Sequence, residues 1–345
     1  MSNYKVRIGV LLGDPSGIGP EVICKLLAEK NIYKKAIAIV IGDKRIFHMG
    51  EKIAVKSIPL KSIDSFDGLH KYSNFNGPLF YDYPTISPKE VKLGKIDKKA
   101  GYSVYRTLLY TLDLAKEKKI DGFIFASFNK EAMRLGGSPY QTEFDLFKDY
   151  FKKPKIHGEI NVLNDLWITR VTSHIALSKV SSMITEKRVY ETICFMDSVL
   201  KDAGFHRSHI AVAALNPHGG EGGMFGTKEI VAIGPAIAKA RLNNINVEGP
   251  FPADTIFLKV RKEKYNGVIS MYHDQGQIAT KIMGFEKGVT LHGGMPIPIA
   301  TCAHGTAFDI AGKGIAKHIA IKNAFLIVTK IALNKRRDMK DDSRS

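Results

Sequence analysis

The stretch VRIGVLLGDPSGIGPEVICKLLAEK (residues 6–30) joins a short apolar run, a glycine-rich turn and an amphipathic segment. The run Val6–Leu12 predicts a buried strand. Pro20 favours a helix over Glu21–Lys30, because proline is well tolerated in the first turn of a helix. Short β-branched runs followed by longer helix-like segments recur along the chain, which is typical of a largely parallel sheet covered by helices. The sequence therefore predicts an α/β fold.

Other elements follow the same pattern. Further strands are predicted over Ile37–Ile41, Gly122–Ala126, Ile168–Thr172, Ile210–Leu215, Gly267–Met271 and Ile319–Ile321. Further helices are predicted over Tyr102–Lys118, Ser182–Ala203 and Lys228–Leu242. There is no internal repeat or Gly/Ser linker. The Gly/Pro-rich runs Gly136–Tyr140 and Gly293–Pro298 are candidate hinges, so we expect a first α/β domain over 1–135 plus 300–345 and a second over 136–299.

Length and composition exclude several classes of protein. With 345 residues, 44% of them hydrophobic, the chain is too long and too apolar for a disordered tail or a disulfide-stapled miniprotein. Cys24, Cys194 and Cys302 are far apart, which fits a reducing compartment. No run approaches the roughly 20 apolar residues that cross a bilayer, and the opening residues lack the apolar core of a secretory signal. We expect a cytoplasmic protein without a membrane partner.

The charge balance is basic, with 51 Lys+Arg against 34 Asp+Glu and a formal net charge of +17. Such an excess can attract nucleic acid or anionic metabolites, or can simply solvate the surface. The lysines are scattered, and no zinc finger, RNA-binding aromatic strand or basic zipper is present. We therefore expect no nucleic-acid partner, although a nucleic-acid-binding protein on an enzyme fold stays a remote alternative.

Three histidines follow predicted strands. His174 comes after WITRVTS, His218 after IAVAALNP and His273 after GVISMY. Because ligands bind at the carboxyl ends of parallel strands, the three imidazoles could converge on one divalent metal and leave coordination positions for a substrate. The alternative is that each histidine only caps or hydrogen-bonds a nearby loop.

Three loops have the composition of ligand-binding segments. Around His218 the loop NPHGGEGG is dense in glycine, which lets backbone N–H groups approach an anion. The turn GDPSGIGPEV (Gly13–Val22) lacks the GxGxxG spacing, and by itself it is a weak nucleotide signal. The loop HGTAFDIAGKG (His304–Gly314) offers Asp309 for a ribose hydroxyl or a helix cap. For the loop around His218, the alternative is a flexible surface turn.

Together these loops, VTSHIALSKV (171–180), GPFPADTIF (249–257) and MYHDQG (271–276) resemble the 4-hydroxythreonine-4-phosphate dehydrogenase (PdxA) family, from about residue 5 to about residue 330. The resemblance implies a two-domain α/β/α homodimer, similar to isocitrate and isopropylmalate dehydrogenases. Its active site would lie in the interdomain cleft and be completed by the second subunit. It also implies an NAD-dependent oxidative decarboxylation of a phosphorylated 3-hydroxy acid, with one divalent ion (Zn, Co or Mg) per site.

The resemblance also implies roles for individual residues. The metal ligands would be His174, His218 and His273. Lys281 would bind the phosphate or carboxylate of the substrate, Thr142 would contact it, and Asp254 and Asp274 are candidates for orienting ligands or taking a proton. The cofactor would be bound by His304, Gly305, Thr306, Asp309 and Gly312.

The chain departs from the family pattern in the substrate contacts. Gln141 precedes Thr142 where a histidine is usual, and Thr290 and Ile299 stand where Asn and Arg are usual. An alkyl group in place of a guanidinium removes a strong anion contact. These positions favour a branch acting on 4-phospho-D-threonate or 4-phospho-D-erythronate as an alternative to 4-phosphooxy-L-threonine, the substrate of pyridoxal 5′-phosphate biosynthesis. A degenerate, inactive homologue is a further alternative.

Overall fold

The computed structural model describes residues 5–152, 154 and 156–342. The chain divides into two compact units, Met1–Pro154 with Met295–Ser345, and Lys155–Gly294. The first expected boundary, at residue 135, lies within the first unit, because Leu146 and Phe147 are buried in its core. The second expected boundary, at residue 299, lies a few residues after the observed one for the same reason, since Met295 and Ile299 belong to that core.

Strands and helices alternate along most of the chain. The strands are β1 (Val6–Leu11), β2 (Ala36–Gly42), β3 (Lys61–Ser62), β4 (Leu79–Asp82), β5 (Gly122–Phe125), β6 (Gly158–Leu163), β7 (Leu166–Arg170), β8 (Ile210–Ala213), β9 (Val247–Phe251), β10 (Gly267–Ser270), β11 (Val289–Gly293) and β12 (Ile299–Cys302). The α-helices are α1 (Gly19–Leu27), α2 (Lys44–Ala54), α3 (Lys98–Lys116), α4 (Lys130–Leu135), α5 (Glu143–Tyr150), α6 (Leu177–Met183), α7 (Glu186–Asp202), α8 (Gly234–Leu242), α9 (Ile256–Lys262), α10 (His273–Gly284) and α11 (Ile319–Asp342).

The first unit is a parallel sheet between two layers of helices. Its strand order is β3-β4-β2-β1-β5-β12, and each described pair is parallel. Phe123 and Phe125 pack on one face against Leu108 of α3. On the other face, Val328 of α11 packs against Gly122. A β-carbon at Gly122 would lie only 2.7 Å from the Val328 side chain, so glycine is needed here. Side chains of one strand thus alternate between two helical layers.

The second unit has a mixed sheet in the order β11-β6-β7-β10-β8-β9. Strands β11, β6 and β7 are antiparallel neighbours, whereas β7, β10, β8 and β9 run parallel. Val268 packs with Ile256 and Val260 of α9, and Gly267 lies against Met196 and Leu200 of α7. The parallel part therefore also has helices on both faces, and the predicted α/β class is confirmed.

Three predicted elements differ in the structure. Ile319–Ile321 is the start of α11 rather than a strand, because Ala320, Ile321 and the following Ala324 are buried at helical spacing. The predicted helix Ser182–Ala203 is interrupted before α7, where the Thr185 hydroxyl accepts from the backbone N–H of Arg188 and caps a new helix.

The predicted helix Lys228–Leu242 begins with a π-helical turn over Glu229–Ile233, in which the Gly234 N–H donates to the Glu229 carbonyl. The next residue, Pro235, has no N–H to donate to the preceding turn. None of the helices in the described ranges is long and apolar enough to cross a membrane.

Candidate functional site

Two of the predicted ligand histidines are neighbours in the second unit. Strands β7 and β10 pair in parallel with Arg170 opposite Ser270, and the pairing continues beyond both strands, where the Thr172 N–H donates to the Met271 carbonyl at 3.0 Å. His174 and His273 follow within three residues of this last bond, and their ring centres are 5.6 Å apart. The carboxyl ends of two paired strands thus bring the two imidazoles together, as the sequence pattern predicts.

His273 is oriented by its sequence neighbour. Its Nδ1 lies 2.7 Å from Oδ1 of Asp274, and the imidazole is about one-third exposed. Gln275 fixes the start of α10, because its Oε1 accepts from the Met271 N–H at 2.7 Å and its Nε2 donates to the Ala214 carbonyl at 2.8 Å. A carboxylate on Nδ1 leaves Nε2 of His273 as the nitrogen that can bind a metal.

The paired imidazoles have a spacing that suits one metal ion. Two imidazoles bound to one tetrahedral ion through metal–nitrogen bonds of about 2.0–2.1 Å have ring centres about 5–6 Å apart. The observed 5.6 Å between His174 and His273 falls in this range. In the described part of the chain, however, no three or more His, Cys, Asp or Glu side chains form a group that could hold a metal. The residues thus fit two of the three predicted protein ligands.

His218 lies on a loop of unusual backbone conformation after β8. Five consecutive residues, His218–Gly222, have positive φ angles between 42° and 83°, a run that glycine makes possible at three of the five positions. The His218 ring is exposed and lies 6.2 Å from that of Phe225. The glycine density noted in the sequence therefore serves a left-handed turn that presents His218 to the surface.

Glu229 holds this loop in place. Its Oε1 accepts from the N–H groups of Leu215 and Asn216, both at 2.8 Å, and its Oε2 accepts from the Asn216 side chain at 2.8 Å. Burial raises the pKa of Glu229, but these hydrogen bonds outweigh it, and the pKa lies below its usual range. Glu229 therefore stays ionised, and sequence reasoning missed it because two of its three hydrogen bonds come from backbone N–H groups.

The other predicted site residues of the second unit are more dispersed. Lys281 is exposed on α10, eight residues or about two turns beyond His273. Asp254 is exposed in the turn between β9 and α9. Thr290, on β11, accepts a long hydrogen bond from the Asn161 amide at 3.4 Å.

In the first unit, the predicted cofactor loop is anchored at its beginning. The Ser127 hydroxyl donates to the His304 carbonyl at 2.7 Å and lies 2.9 Å from the Cys302 sulfur. The N–H of Ile18, from the GDPSGIGPEV turn, donates to the Thr306 carbonyl at 3.1 Å. The segments around residues 13–18, 127–129 and 304–306 therefore form one cluster, which their separate positions in the sequence do not reveal.

The end of the same loop is fastened by a buried ion pair. Glu21 is 1% exposed, and its Oε1 accepts from Lys25 Nζ at 2.7 Å and from the Ala316 N–H at 2.8 Å. Lys25 Nζ also donates to the carbonyls of Gly314 and Ala316, both at 2.8 Å. Helix α1 thus fixes the exit of the loop, while Ser127 fixes its entry.

His304 and Cys302 form a polar pair at the start of the loop. Burial lowers the pKa of His304, but its contact with Cys302 outweighs this and raises the pKa to about 9. Burial conversely raises the pKa of the Cys302 thiol, and the neighbouring His304 and Ser127 bring it below its usual value. His304 also places Nδ1 3.0 Å from the Gly305 carbonyl. Its imidazole is therefore engaged within the loop at neutral pH.

The remaining predicted contacts of the first unit lie in varied surroundings. Asp309 is exposed in a 3-10 turn over Phe308–Ile310, and Gly312 has a φ of 81°. Gln141 is exposed. Thr142 caps α5, since its hydroxyl accepts from the Asp145 N–H at 3.1 Å and donates to the Asp145 carboxylate at 2.7 Å. The hydroxyl predicted to contact the substrate thus has a structural role.

Ile299 is a core residue rather than a surface one. It lies in β12, pairs with Phe123 of β5 and is 0% exposed. Its side chain is therefore enclosed by the core and is not presented to a ligand. Comparison with the family pattern found the position but could not show that its side chain faces the core.

Asp14 is a titratable group that sequence reasoning did not single out. It follows β1 in the GDPSGIGPEV turn and is 1% exposed. Burial raises its pKa to about 6, against the hydrogen bonds that it accepts from the N–H groups of Ser16 at 2.8 Å and Asn129 at 3.4 Å. The signal available in the sequence was only the placement of an acid directly after a buried strand.

The replacement Asp14→Asn is expected to change how stability depends on pH. Because the folded pKa exceeds the unfolded value of 3.8, Asp14 favours folding most below pH 4, and that contribution is lost as the pH rises through 6. The difference between these two pKa values corresponds to roughly 3 kcal/mol. The variant's free energy of unfolding should rise by about this amount relative to wild type between pH 4 and pH 7 in urea titrations.

Asp64→Asn, at an exposed position, is the matched control and should differ from wild type by the same amount at both pH values. A difference between Asp14→Asn and wild type that does not change with pH would contradict the prediction.

The family model for the "Pyridoxal phosphate biosynthetic protein PdxA" matches residues 34–328. A protein of Rhizobium meliloti, provisionally named 4-hydroxythreonine-4-phosphate dehydrogenase 2, is 44% identical over 95% of this chain and 94% of its own length. A Clostridium botulinum protein provisionally named D-threonate 4-phosphate dehydrogenase is 35% identical over 96% of this chain and 98% of its own.

Solved structures agree with these matches. The crystal structure of 4-hydroxythreonine-4-phosphate dehydrogenase from Klebsiella pneumoniae is similar with a TM-score of 0.82 and 31% identity, over 96% of this chain and 99% of that one. Isocitrate dehydrogenase from Methylococcus capsulatus shares the fold at a TM-score of 0.50 and 14% identity, over 97% and 89% of the two chains. The chain therefore belongs to the PdxA family, as its ordered motifs predicted.

Proposed function

We propose that this protein catalyses the NAD- and divalent-metal-dependent oxidative decarboxylation of a four-carbon, 4-phosphorylated 3-hydroxy acid. The observation that carries the proposal is the pair of imidazoles 5.6 Å apart at the ends of β7 and β10, in a chain of the PdxA family. The first candidate substrate is 4-hydroxythreonine 4-phosphate, and the second is D-threonate 4-phosphate. Relatives named for each acid match nearly the whole chain.

The metal would be held by His174 and His273, with His218 as the third protein ligand. When bound, a divalent ion supplies a Lewis acid that favours loss of the proton from the substrate hydroxyl. Imidazole ligands favour Zn or Co over Mg, which prefers oxygen ligands. Asp274, through its contact with Nδ1 of His273, would leave Nε2 of that ring to bind the ion.

The proton of the substrate hydroxyl needs an acceptor when hydride leaves the same carbon for NAD. Asp254 and Asp274 are the candidates among the predicted residues. The contact of Asp274 with His273 favours an orienting role for Asp274, which leaves Asp254 for proton transfer. The resulting 3-keto acid loses CO2, and Lys281 would pair with the phosphate or carboxylate of the substrate.

The loop His304–Gly314 is proposed to bind the adenosine end of NAD. Its support is the double anchoring described above, through Ser127 at one end and the pair Glu21–Lys25 at the other. Such anchoring holds backbone N–H and carbonyl groups in place, so that little ordering entropy is lost when a nucleotide binds. Asp309, exposed within the loop, would accept from a ribose hydroxyl.

We further propose that the protein works as a homodimer in the cytoplasm. Its second unit exposes large apolar side chains at Leu177, Met224, Ile230 and Val231, each more than half exposed, and exposed apolar groups of this kind are usual at subunit interfaces. All three cysteines are free, as in proteins of reducing compartments.

The proposed function is tested by NADH formation with purified protein, NAD and Zn or Co, with the two phosphorylated acids offered in parallel. The acids differ at one substituent, amino in the first and hydroxyl in the second. A pocket built for one leaves a polar group unpaired with the other, which costs about 1–3 kcal/mol, or about 5- to 150-fold in kcat/KM. We expect turnover of at least one acid. Turnover of only the first would make Gln141 a tolerated variation, and turnover of only the second would make it a determinant of specificity. No NADH from either acid would contradict the proposal.

A further inference from the structure

Arg170 is a buried cation beside the paired histidines. It is the last residue of β7, and its side chain is 8% exposed. Its Nη2 donates to Glu159 Oε2 at 2.8 Å, its Nη1 to Asn161 Oδ1 at 3.0 Å and its Nε to the Ser173 hydroxyl at 2.9 Å. Glu159 and Asn161 lie on β6, so one guanidinium ties this strand to the turn that follows β7.

One arm of this network leads to His174. Ser173 Oγ lies 3.5 Å from His174 Nδ1. The hydroxyl oxygen has two lone pairs, and Nε–H of Arg170 occupies one of them. The second lone pair can accept Nδ1–H of His174, an arrangement that leaves Nε2 without a proton. His273, with Nδ1 on Asp274, presents the same nitrogen.

The other arm leads to the helix that carries His273. Gln277 of α10 donates from Nε2 to Asn161 Oδ1 at 2.6 Å, the same oxygen that accepts from Arg170. Asn161 is 7% exposed, so both bonds lie in a poorly solvated region where a lost partner is costly. The guanidinium is therefore connected to both histidine-bearing segments, through Ser173 to one and through Asn161 and Gln277 to the other.

We propose that Arg170 is a positioning residue, which fixes the His174 ring as its Nδ1–H tautomer through Ser173 and ties the helix bearing His273 to β6 through Asn161. The inference rests on the proposed function in that it gives the two Nε2 atoms to one metal ion. Outer partners of this kind set the tautomer and ring orientation of metal-binding histidines.

The first test needs no metal. Long-range 1H–15N spectra of metal-free protein labelled at histidine distinguish Nδ1–H from Nε2–H. We expect His174 to carry its proton on Nδ1 in wild type and to shift toward Nε2–H in Ser173→Ala. The double variant Arg170→Met with Glu159→Gln should cause the same shift, without leaving a buried unpaired carboxylate that could unfold the protein.

The second test measures the affinity and visible absorption of Co2+. Ser173→Ala and Gln277→Met should each weaken Co2+ binding by about 10- to 100-fold and alter the absorption. Ser208→Ala is the control, because Ser208 is also buried and donates to a carboxylate, Asp197, in the same unit. It should leave Co2+ affinity unchanged.

The two measurements distinguish a failure of the proposed function from a failure of the proposed role of Arg170. A wild-type protein that takes up no Co2+ would contradict the proposed function, while the tautomer of His174 would still decide the role of Arg170. An Nε2–H tautomer in wild type, or the same tautomer in wild type and Ser173→Ala, would overturn the positioning role.

Discussion

The variant His273→Ala is expected to lose bound divalent metal and at least about a thousandfold in kcat/KM while remaining folded. A thousandfold loss corresponds to about 4 kcal/mol of barrier, which is the range that a Lewis acid at a developing oxyanion contributes. The fold should survive because the imidazole is about one-third exposed and lies at the start of a helix, outside the core. Metal content by mass spectrometry and NADH formation measure the two effects.

His209→Ala is the matched control. His209 lies in the same unit, stacks on Tyr265 with ring centres 3.8 Å apart and pairs with Glu248 at 3.0 Å, so its loss costs packing and a hydrogen bond. Metal content and kcat should stay at wild-type values in this variant. Full metal content in His273→Ala would show that His273 is not a metal ligand. Comparison with His218→Ala then shows whether the third histidine contributes equally.

The site shows what order along the chain can and cannot predict. The sequence placed three histidines after three strands, and the structure brings two of them together because β7 and β10 are adjacent and in register. His218 follows β8, which is also adjacent to β10, but it is the first residue of a left-handed loop. Strand order alone therefore predicts at which edge of the sheet a residue lies. The conformation of the following loop determines the position of its side chain.

The predicted substrate contacts have structural roles that the sequence did not reveal, whereas the glycine-rich loops were recognised from their composition. Thr142 was assigned through the family resemblance, and Ile299 as the position where the family usually has an arginine. In the structure Thr142 caps a helix and Ile299 is a core residue. Both roles depend on neighbours that are distant in sequence or contributed by the backbone. Conversely, the glycine-rich loops were recognised because their composition itself encodes the backbone conformation.

Two of the strands that the sequence did not predict, β6 and β11, contain buried polar residues; β3, β4, β9 and β12 were not predicted either. Strand β6 has Glu159 and Asn161 among its apolar residues, and β11 has Thr290 and the buried His292. A hydrophobic pattern cannot distinguish such a strand from a loop. In β6, Glu159 can be half-buried and Asn161 buried because their polar side chains accept hydrogen bonds from Arg170. Fold class followed from the regular parallel strands, while the antiparallel pair required knowledge of the buried partners.

The substitution Gly101→Ala is expected to lower the free energy of unfolding by about 3 kcal/mol or more, the opposite of what helix propensity predicts. Gly101 lies on α3, where alanine would ordinarily stabilise by roughly 0.5–1 kcal/mol. A β-carbon there would lie 1.7 Å from the carbonyl oxygen of Ala132 and 2.7 Å from the N–H nitrogen of Met133, both on α4. These are backbone atoms, so relief requires that α3 and α4 move apart.

The same movement should reach the candidate site, which makes the prediction testable in two ways. A β-carbon at Gly136, at the end of α4, would likewise lie 2.2 Å from the backbone nitrogen of Tyr102 on α3. The two helices are therefore in close contact at two places. Separation would displace the segment that leads from α4 to Gln141 and Thr142, the predicted substrate contacts, and we expect KM for the phosphorylated acid to rise. Gly305→Ala, where no atom lies within 4 Å of the new carbon, should change stability by less than about 0.5 kcal/mol. If Gly101→Ala were as stable as wild type in urea titrations, the close helix contact would be wrong, and helix propensity alone would describe this position.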